Sequence, residues 1–306
     1  MSTVVARSDF ARAILDVYAI IAWISAGITL VVFGALGWIL LRYRERDRTT
    51  LPRQTRGHSL LEISWTVAPA LVLLAIAIPT IQIVFRTQAA TAPPDALAIT
   101  VRGYQWWWEF RYPTLGVVTA NEVHIPSGRP VVLDLEGPDV IHSFWVPQLG
   151  GKRDVVPGRR NRITLTPDTP GEYWGQCAEF CGTAHANMRL RVIVDRPTDF
   201  ERWVAQQRQA PPEPTDAVAA GKSVYTANAC VGCHTIAGVS TGALGPDLTH
   251  FGSRNTLGAG LYANTLENVA LWVRSAPTVK PGVKMPAVDL TDEQARALAE
   301  YLLSLK

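Results

Sequence analysis

The chain has 306 residues, which is long enough for two domains and additional segments. Hydrophobic residues make up 48% of it and ten are tryptophan, a composition that indicates contact with a membrane. The net charge of +3 is too small to indicate a nucleic-acid partner. The four cysteines fall in two close pairs, 177/181 and 230/233, so none is left over for a long-range structural disulfide.

Two uncharged stretches, residues 17–41 and 63–85, predict membrane-spanning helices. At the helical rise the first would be about 37 Å long, enough to cross a bilayer with some tilt. Pro69 and Pro79 interrupt the second, which membrane helices tolerate when neighbouring groups satisfy the freed backbone. The alternative is a buried hairpin in a soluble protein.

The segment between these stretches is rich in arginine, which predicts a cytoplasmic loop. Both termini, and everything after residue 86, are then expected on the outer side of the membrane. The arginines are Arg42, Arg44, Arg46, Arg48, Arg53 and Arg56, opposed by Glu45, Asp47 and Glu62.

Beyond the second stretch, short apolar or alternating runs separated by turn residues predict a small antiparallel sandwich or barrel. A proline-containing linker at 210–216 follows, and the pattern then becomes helical, with helices at 217–229 and after Leu290. Thr291 or Asp292 is expected to cap the last helix. The predicted segments are a tail at 1–16, a transmembrane hairpin at 17–86, a β-domain at 97–196, a linker at 197–216 and a helical domain at 217–306.

A soft ligand set lies near the end of the β-domain. Cys177, Cys181 and His185 are spaced by four residues, and Met188 follows three later. Thiolates, imidazole and thioether suit copper, zinc or an iron–sulfur cluster. A short disulfide, or two buried small hydrophobic side chains, is the alternative. His142 ends a predicted strand, and a sandwich could bring it to this cluster.

The helical domain contains Cys230-Val-Gly-Cys233-His234, the attachment signature of a c-type haem. The two cysteines would form thioethers, and His234 would be an axial iron ligand. Met285, some fifty residues later, is the candidate for the other axial ligand, which raises the haem potential. The alternatives are a redox CxxC pair and an ordinary core methionine.

With these motifs, residues 15–196 resemble subunit II of haem–copper cytochrome c oxidase, and residues 213–306 resemble a class I cytochrome c. Further matching stretches are Asp139-Val-Ile-His142-Ser, Leu149–Arg159, Gly103–Tyr112, and the Gly221/Tyr301 contact of cytochrome terminal helices. The resemblance implies a multidomain membrane protein with a two-helix transmembrane hairpin, a β-sandwich cupredoxin-like domain and an all-α cytochrome c domain.

The resemblance also implies a dinuclear copper centre, CuA. Cys177 and Cys181 would bridge the coppers, His142 and His185 would each bind one, Met188 would be a weak ligand, and Glu179 would offer its backbone carbonyl. Zinc in the same site could not pass electrons to or from the haem, so copper is the expected metal. In the haem domain, Pro246 would orient His234 through its carbonyl.

Three further roles are implied by the resemblance. Trp106 would be the point of electron entry, whereas Trp107 and Trp108 are better explained as core and membrane-facing bulk. The Glu179 carboxylate would bind magnesium at the boundary with subunit I. Glu62 would lie at the mouth of a proton pathway, unless it is a solvated charge at the membrane edge.

The predicted function is electron entry into a proton-pumping terminal oxidase. Electrons would pass from a donor through haem c and CuA to the haem of subunit I, where oxygen is reduced to water. The expected partners are subunit I, other oxidase subunits, the membrane, and a donor that is either a soluble cytochrome c or a quinol-oxidising complex. The expected location is a bacterial-type cytoplasmic membrane, with both redox domains on the periplasmic side. The alternatives are a CuA-containing nitric oxide reductase and a copper–zinc sensory or storage module.

Overall fold

The computed structural model describes residues 2–44, 54, 56–87, 92–213 and 215–306. These residues form two compact units, Arg12–Thr87 and Met1–Ala11 with Gln88–Lys306. Most of the predicted arginine loop, including Arg46, Arg48 and Arg53, lies outside the described residues, as does part of the segment before the β-domain.

Two long apolar helices, α1 (Asp9–Arg42) and α2 (Ser59–Thr87), are each long enough to cross a membrane. Helix α2 continues through both of its prolines. The boundary predicted for the tail is wrong, because α1 begins at Asp9 instead of Val17. Ser8 supplies the missed cap, since its Oγ accepts a hydrogen bond from Ala11 N at 3.0 Å.

The middle of the chain is a sandwich of two five-stranded sheets. Their strand orders are β3-β2-β1-β5-β8 and β4-β10-β9-β6-β7. The sheets are mixed instead of purely antiparallel, because β1 runs parallel to β5 and β4 runs parallel to β10. The strands are β1 Leu97–Tyr104, β2 Trp107–Tyr112, β3 Val117–Ala120, β4 Glu122–Pro126, β5 Val131–Glu136, β6 His142–Trp145, β7 Arg153–Val155, β8 Asn161–Leu165, β9 Gly171–Cys177 and β10 Arg189–Asp195.

The predicted linker 197–216 is wrong over its first half. Helix α3 (Pro197–Gln207) occupies that segment and buries Phe200 and Val204 in the core of the sandwich. Trp203 stacks on the ring of His124, with ring centroids 4.3 Å apart. Apolar side chains at helical spacing hold this helix on the β-domain, which therefore extends to about residue 207.

The C-terminal domain is built on helices around its own core. The helices are α4 (Asp216–Ala227), α5 (Cys230–Cys233), α6 (Leu266–Val279) and α7 (Asp292–Ser304), with two short two-stranded ribbons among them. Where α4 crosses α7, a Cβ on Gly221 would lie 2.6 Å from the Cβ of Tyr301, which confirms the expected helix contact. Thr291 caps α7 in a capping box with Gln294.

The N-terminal segment pairs with the sandwich. Arg7 N donates to Gln148 O at 2.8 Å, and the Ser8 hydroxyl donates to Leu149 O at 2.6 Å. The ring of Phe10 packs against Gly150, where a Cβ would be 2.6 Å from it. The N-terminus and the sandwich therefore lie on the same side of any membrane that the two helices cross.

Candidate metal and haem centres

The metal cluster forms where β6 pairs with β9. His142 is the first residue of β6, Cys177 is the last residue of β9, and Phe144 pairs with Cys177 in the sheet. This pairing places Cys177 Sγ 3.9 Å from His142 Nδ1. Cys181, in the loop that follows, places its Sγ 3.8 Å from Cys177 Sγ and 3.5 Å from His185 Nδ1.

Two further donors complete the cluster. Met188 is fully buried, with its Sδ 3.9 Å from Cys181 Sγ. The backbone oxygen of Glu179 lies 3.3 Å from Cys177 Sγ. A hydrogen bond from Cys177 N to Met188 O, 2.9 Å long, closes the loop that carries these donors. All six positions that the resemblance singles out are therefore neighbours in the fold.

The spacing of the two sulfurs suits a shared metal. Two sulfurs bound to one ion at about 2.3 Å each, at a tetrahedral angle, lie about 3.8 Å apart. The separation of 3.8 Å matches that value, whereas a disulfide would bring the sulfurs to about 2.05 Å. Both cysteines are free and buried. The alternative of a short disulfide is therefore wrong, and the donor set fits a soft metal ion such as copper.

The two thiols also differ in proton affinity. A hydrogen bond from the Cys181 thiol, helped by bonds from His142 and backbone groups, outweighs burial and lowers the pKa of Cys177 to about 3. The same contact raises the pKa of Cys181. A metal ion bound by both sulfurs would displace any thiol proton, because cysteine binds metals as the thiolate.

Asp139 orients His142. Its Oδ1 lies 2.9 Å from His142 Nε2, which leaves Nδ1 directed at Cys177. Asp139 also accepts hydrogen bonds from Gln105 N and Val140 N, each 2.7 Å long. Burial acts to raise the pKa of Asp139, but the bonds from His142 and the two amides outweigh it and lower the pKa. A carboxylate behind a ligating imidazole is the usual arrangement at metal sites.

Trp106 touches the cluster through its ring nitrogen. Its Nε1 donates to Cys181 O at 3.1 Å, and Gln105 Nε2 donates to the same oxygen at 2.8 Å. Trp106 is only 8% exposed. The neighbouring tryptophans serve other contacts, because Trp107 stacks on Tyr104 with centroids 4.6 Å apart and Trp108 is fully buried in the core.

The helical domain covers Trp106 from the other side. Lys280 Nζ donates to Trp106 O at 2.8 Å, and a Cβ on Gly282 would lie 2.9 Å from the Cβ of Thr183 in the cluster loop. Glu122 on β4 accepts hydrogen bonds from the helical domain. Sequence reasoning missed Lys280 and Glu122, because a charged side chain in isolation is expected to be solvated and neither belongs to a motif.

In the helical domain, α5 carries Cys230 and Cys233 as free thiols one helical turn apart. The ring of His234 donates from Nδ1 to Pro246 O at 2.8 Å, which leaves Nε2 for a ligand. Gly245 lies against this ring, since a Cβ there would be 2.6 Å from His234 Cε1. Burial lowers the pKa of His234, which favours the neutral imidazole that binds iron. This arrangement fits a covalently attached haem, with Met285 half-buried in the segment between α6 and α7.

The two remaining predicted side chains are those of Glu179 and Glu62. The Glu179 carboxylate is exposed and pairs with Lys152 Nζ at 3.2 Å. Glu62 lies in the first turn of α2 and is exposed.

Three family models match the chain. They are "Cytochrome C oxidase subunit II, transmembrane domain" at residues 4–83, "Cytochrome C oxidase subunit II, periplasmic domain" at 114–195 and "Cytochrome c" at 218–306. The first two families imply a membrane protein with two spanning helices and a CuA centre, and the third implies haem c.

Curated relatives match over most of their length. Cytochrome c oxidase subunit 2 of Alkalihalophilus pseudofirmus is 39% identical over 290 residues, covering 92% of this chain and 84% of that protein. Cytochrome c oxidase subunit 2 of Bacillus sp. strain PS3 is 35% identical, covering 87% of this chain and 80% of that protein. Cytochrome c oxidase subunit 2 of Bacillus subtilis is 32% identical, covering 88% of this chain and 82% of that protein. The chain has two apolar helices, a cupredoxin-like sandwich and a cytochrome c domain. With these matches, it belongs to the cytochrome c oxidase subunit II family and carries a fused cytochrome c domain.

Proposed function

We propose that this chain is the electron-entry subunit of a proton-pumping terminal oxidase. Its cytochrome domain receives electrons from an external donor and passes them through Trp106 to the copper centre. From copper held by Cys177 and Cys181, the electrons would go on to the haem of subunit I, where oxygen is reduced to water. The observation that carries this proposal is the position of Trp106, whose ring donates to Cys181 while the cytochrome domain packs on its backbone.

The copper cluster supports this role through its rigidity. Two bound coppers would supply one-electron transfer, and thiolates shared between them would let them share that electron with little change in geometry. Cys177 and Cys181 would bridge the metals, and His142, His185, Met188 and the Glu179 carbonyl would complete the site. Asp139 holds the His142 ring, and the closed loop holds Met188, so the chain maintains the donors in place.

The cytochrome domain supports the role of first electron acceptor. Cys230 and Cys233 would attach the haem, His234 would bind the iron through Nε2, and Met285 would be the second axial ligand. The bond from His234 to Pro246 fixes the ring orientation and adds to its basicity. Thioether ligation at Met285 would raise the haem potential, as an electron carrier requires.

The orientation in the membrane is part of the proposal. The periplasmic side is expected for both redox domains, because arginines cluster between α1 and α2. A protease applied to cells with a permeabilised outer layer should cut the linker at 211–214 and spare residues 42–58. Protection of the linker together with cleavage at 42–58 would reverse the orientation.

The same proposal includes a contact surface for subunit I, a magnesium ligand and a point of proton entry. The exposed side chains of Glu179 and Phe180 are available to subunit I, and the Glu179 carboxylate would bind magnesium there once it leaves Lys152. Glu62, at the start of α2, would receive protons at the inner membrane edge. Replacing Glu62 with Gln should lower the number of protons pumped per electron without changing copper or haem content.

The relay is tested by replacing Trp106 with Phe in the purified oxidase. After rapid mixing with the reduced donor, haem c should be reduced at the parent rate, while reduction of the copper centre should be delayed. Trp107→Phe is the matched control, because that ring stacks on Tyr104 and makes no hydrogen bond to the cluster among the described contacts. Unchanged copper reduction in Trp106→Phe would remove Trp106 from the path.

A further inference from the structure

Two buried charged side chains cross the interface between the copper and cytochrome domains in opposite directions. Lys280 belongs to the cytochrome domain and reaches the backbone of the copper domain. Glu122 belongs to the copper domain and reaches the backbone of the cytochrome domain. Each therefore binds groups whose positions are set by the fold of the other domain.

Lys280 is 1% exposed, and its Nζ donates to two carbonyls. One is Trp106 O of the copper domain at 2.8 Å, and the other is Gly258 O of its own domain at 3.1 Å. Burial lowers the pKa of Lys280 to about 7. The ammonium and the neutral amine both carry enough N–H groups for the two carbonyls. Burying this group is costly, so simple stabilisation does not explain its presence.

Glu122 is 3% exposed and accepts hydrogen bonds from three donors of the cytochrome domain. Asn255 N lies 3.0 Å from Oε2, while Thr256 N and the Thr256 hydroxyl lie 2.7 and 2.6 Å from Oε1. Three donors fill most of the acceptor sites of this carboxylate, and both of its oxygens are hydrogen-bonded. Its bonds have fixed directions, so they are made only when the two domains are in one relative position.

The surface around these two groups is close-packed, and its other hydrogen bonds are neutral and longer: Arg189 N donates to Ala259 O at 3.2 Å, and Gln207 Nε2 donates to Ser253 Oγ at 3.3 Å. Gly282 lies against Thr183, and Gly260 lies against Trp174, where a Cβ would come 3.1 Å from the ring. Apolar packing alone permits several relative positions of the two domains with similar energy. Buried polar groups favour the one position in which they are hydrogen-bonded. Among the described residues at this contact, Lys280 and Glu122 are the charged side chains that are almost fully buried, so they select the position most strongly.

We propose that Lys280 and Glu122 are positioning residues that hold the cytochrome domain in one fixed position on the Trp106 surface, so that electrons reach the copper centre without a docking step. The consequence for electron transfer rests on the proposed function. In that step one electron leaves the haem iron, which is oxidised from the ferrous to the ferric state, and the copper pair takes it up and is reduced.

Holding the cytochrome domain in one position has a different effect from attaching it through a flexible linker alone. A flexible linker alone would give the cytochrome domain a high local concentration near the copper domain, with repeated association and dissociation. A cytochrome domain held in one position keeps Trp106 covered at all times. An external donor then cannot use that surface, and the exposed part of the cytochrome domain is its only route into the chain.

The test uses the full chain with its copper and haem, and compares the parent with Lys280→Met and Lys284→Met. Lys284 is the matched control, because it lies on the same segment and also faces the copper domain, but its side chain is 64% exposed and its Nζ lies 3.8 Å from Asp139 Oδ2. An exposed ion pair of this kind contributes little to holding the domains together. Backbone amide exchange is followed by mass spectrometry in residues 104–108 and 256–261. We expect exchange to become about tenfold faster in Lys280→Met, and to stay at the parent rate in Lys284→Met.

Glu122→Gln is a second variant, placed on the other domain in case Lys280→Met does not fold. It should accelerate exchange in 256–261 while the haem and copper spectra stay as in the parent. Parent-like exchange in both Lys280→Met and Glu122→Gln, or equal acceleration in Lys284→Met, would overturn the proposal. Flash-induced electron transfer from haem c to copper is recorded on the same samples. If the parent shows no such transfer, the proposed function fails, while the exchange data still decide whether the position is fixed.

Discussion

His142 Nε2 lies 2.9 Å from Asp139 Oδ1, and the opposite ring nitrogen faces the thiolate of Cys177. The same domain contains a second histidine–aspartate pair, in which His124 Nδ1 lies 2.7 Å from Asp195 Oδ2. That second ring stacks on Trp203. The two pairs have similar polar geometry, but only the first is directed at the metal cluster.

This difference gives a matched test of the copper site. Asp139→Asn should lower copper affinity by about 10–100-fold, because a neutral amide adds less to the basicity of the His142 ring than the carboxylate does. Asp195→Asn should leave copper affinity unchanged. Copper is titrated out with a chelator while the visible absorption of the site is followed. Equal copper retention in Asp139→Asn and the parent would contradict the role given to the carboxylate.

The second prediction concerns the haem ligand. Met285→Leu should lower the haem potential by on the order of hundreds of millivolts, within the range of about 0.8 V that axial ligands span. The absorption of the copper site should be intact, because the thioether proposed for that site is Met188 and not Met285. Redox titration monitored at the haem bands measures the shift. A parent-like potential in Met285→Leu would assign the ligand to another side chain.

The third prediction concerns electron entry. In Met285→Leu the physiological donor should reduce haem c more slowly, and copper reduction should be delayed with it, because the covered Trp106 offers no second entry point. Rapid mixing with detection of both chromophores separates the two steps. If copper is reduced at the parent rate in this variant, haem c is not an obligatory relay.

The fourth prediction concerns the crossing of α4 and α7. A Cβ on Gly221 would lie 2.6 Å from the Cβ of Tyr301, so Gly221→Ala forces the helices apart. Overpacking of this kind costs about 1–3 kcal/mol. For a domain of this size, each kcal/mol lowers the melting temperature by about 4–8 °C. Calorimetry should show this loss, and Ser223→Ala, on an exposed face of the same helix, should melt within a degree or two of the parent, as surface changes usually do.

Several features of the chain can be predicted from short segments of its sequence. The haem motif around His234, the spacing of Cys177 and Cys181, and the two apolar runs are all local, because attachment to a haem, bridging of a metal and crossing of a bilayer depend on residues close together in sequence. The cap at Thr291 is local for the same reason. The start of α1 was missed because the Ser8 cap lies nine residues before the first residue of the uncharged run at 17–41.

By itself, the sequence determined the type of each domain and the soft donors of the copper loop, since these follow from residue types at fixed local spacing. Only the tertiary structure decided that Asp139 supports His142, that α3 packs on the sandwich, and that Lys280 contacts Trp106. The last pair is 174 residues apart in the chain. A lysine has the same composition and flanking pattern whether it is solvated or buried, and only the packing of two domains, each with its own core, removes it from water.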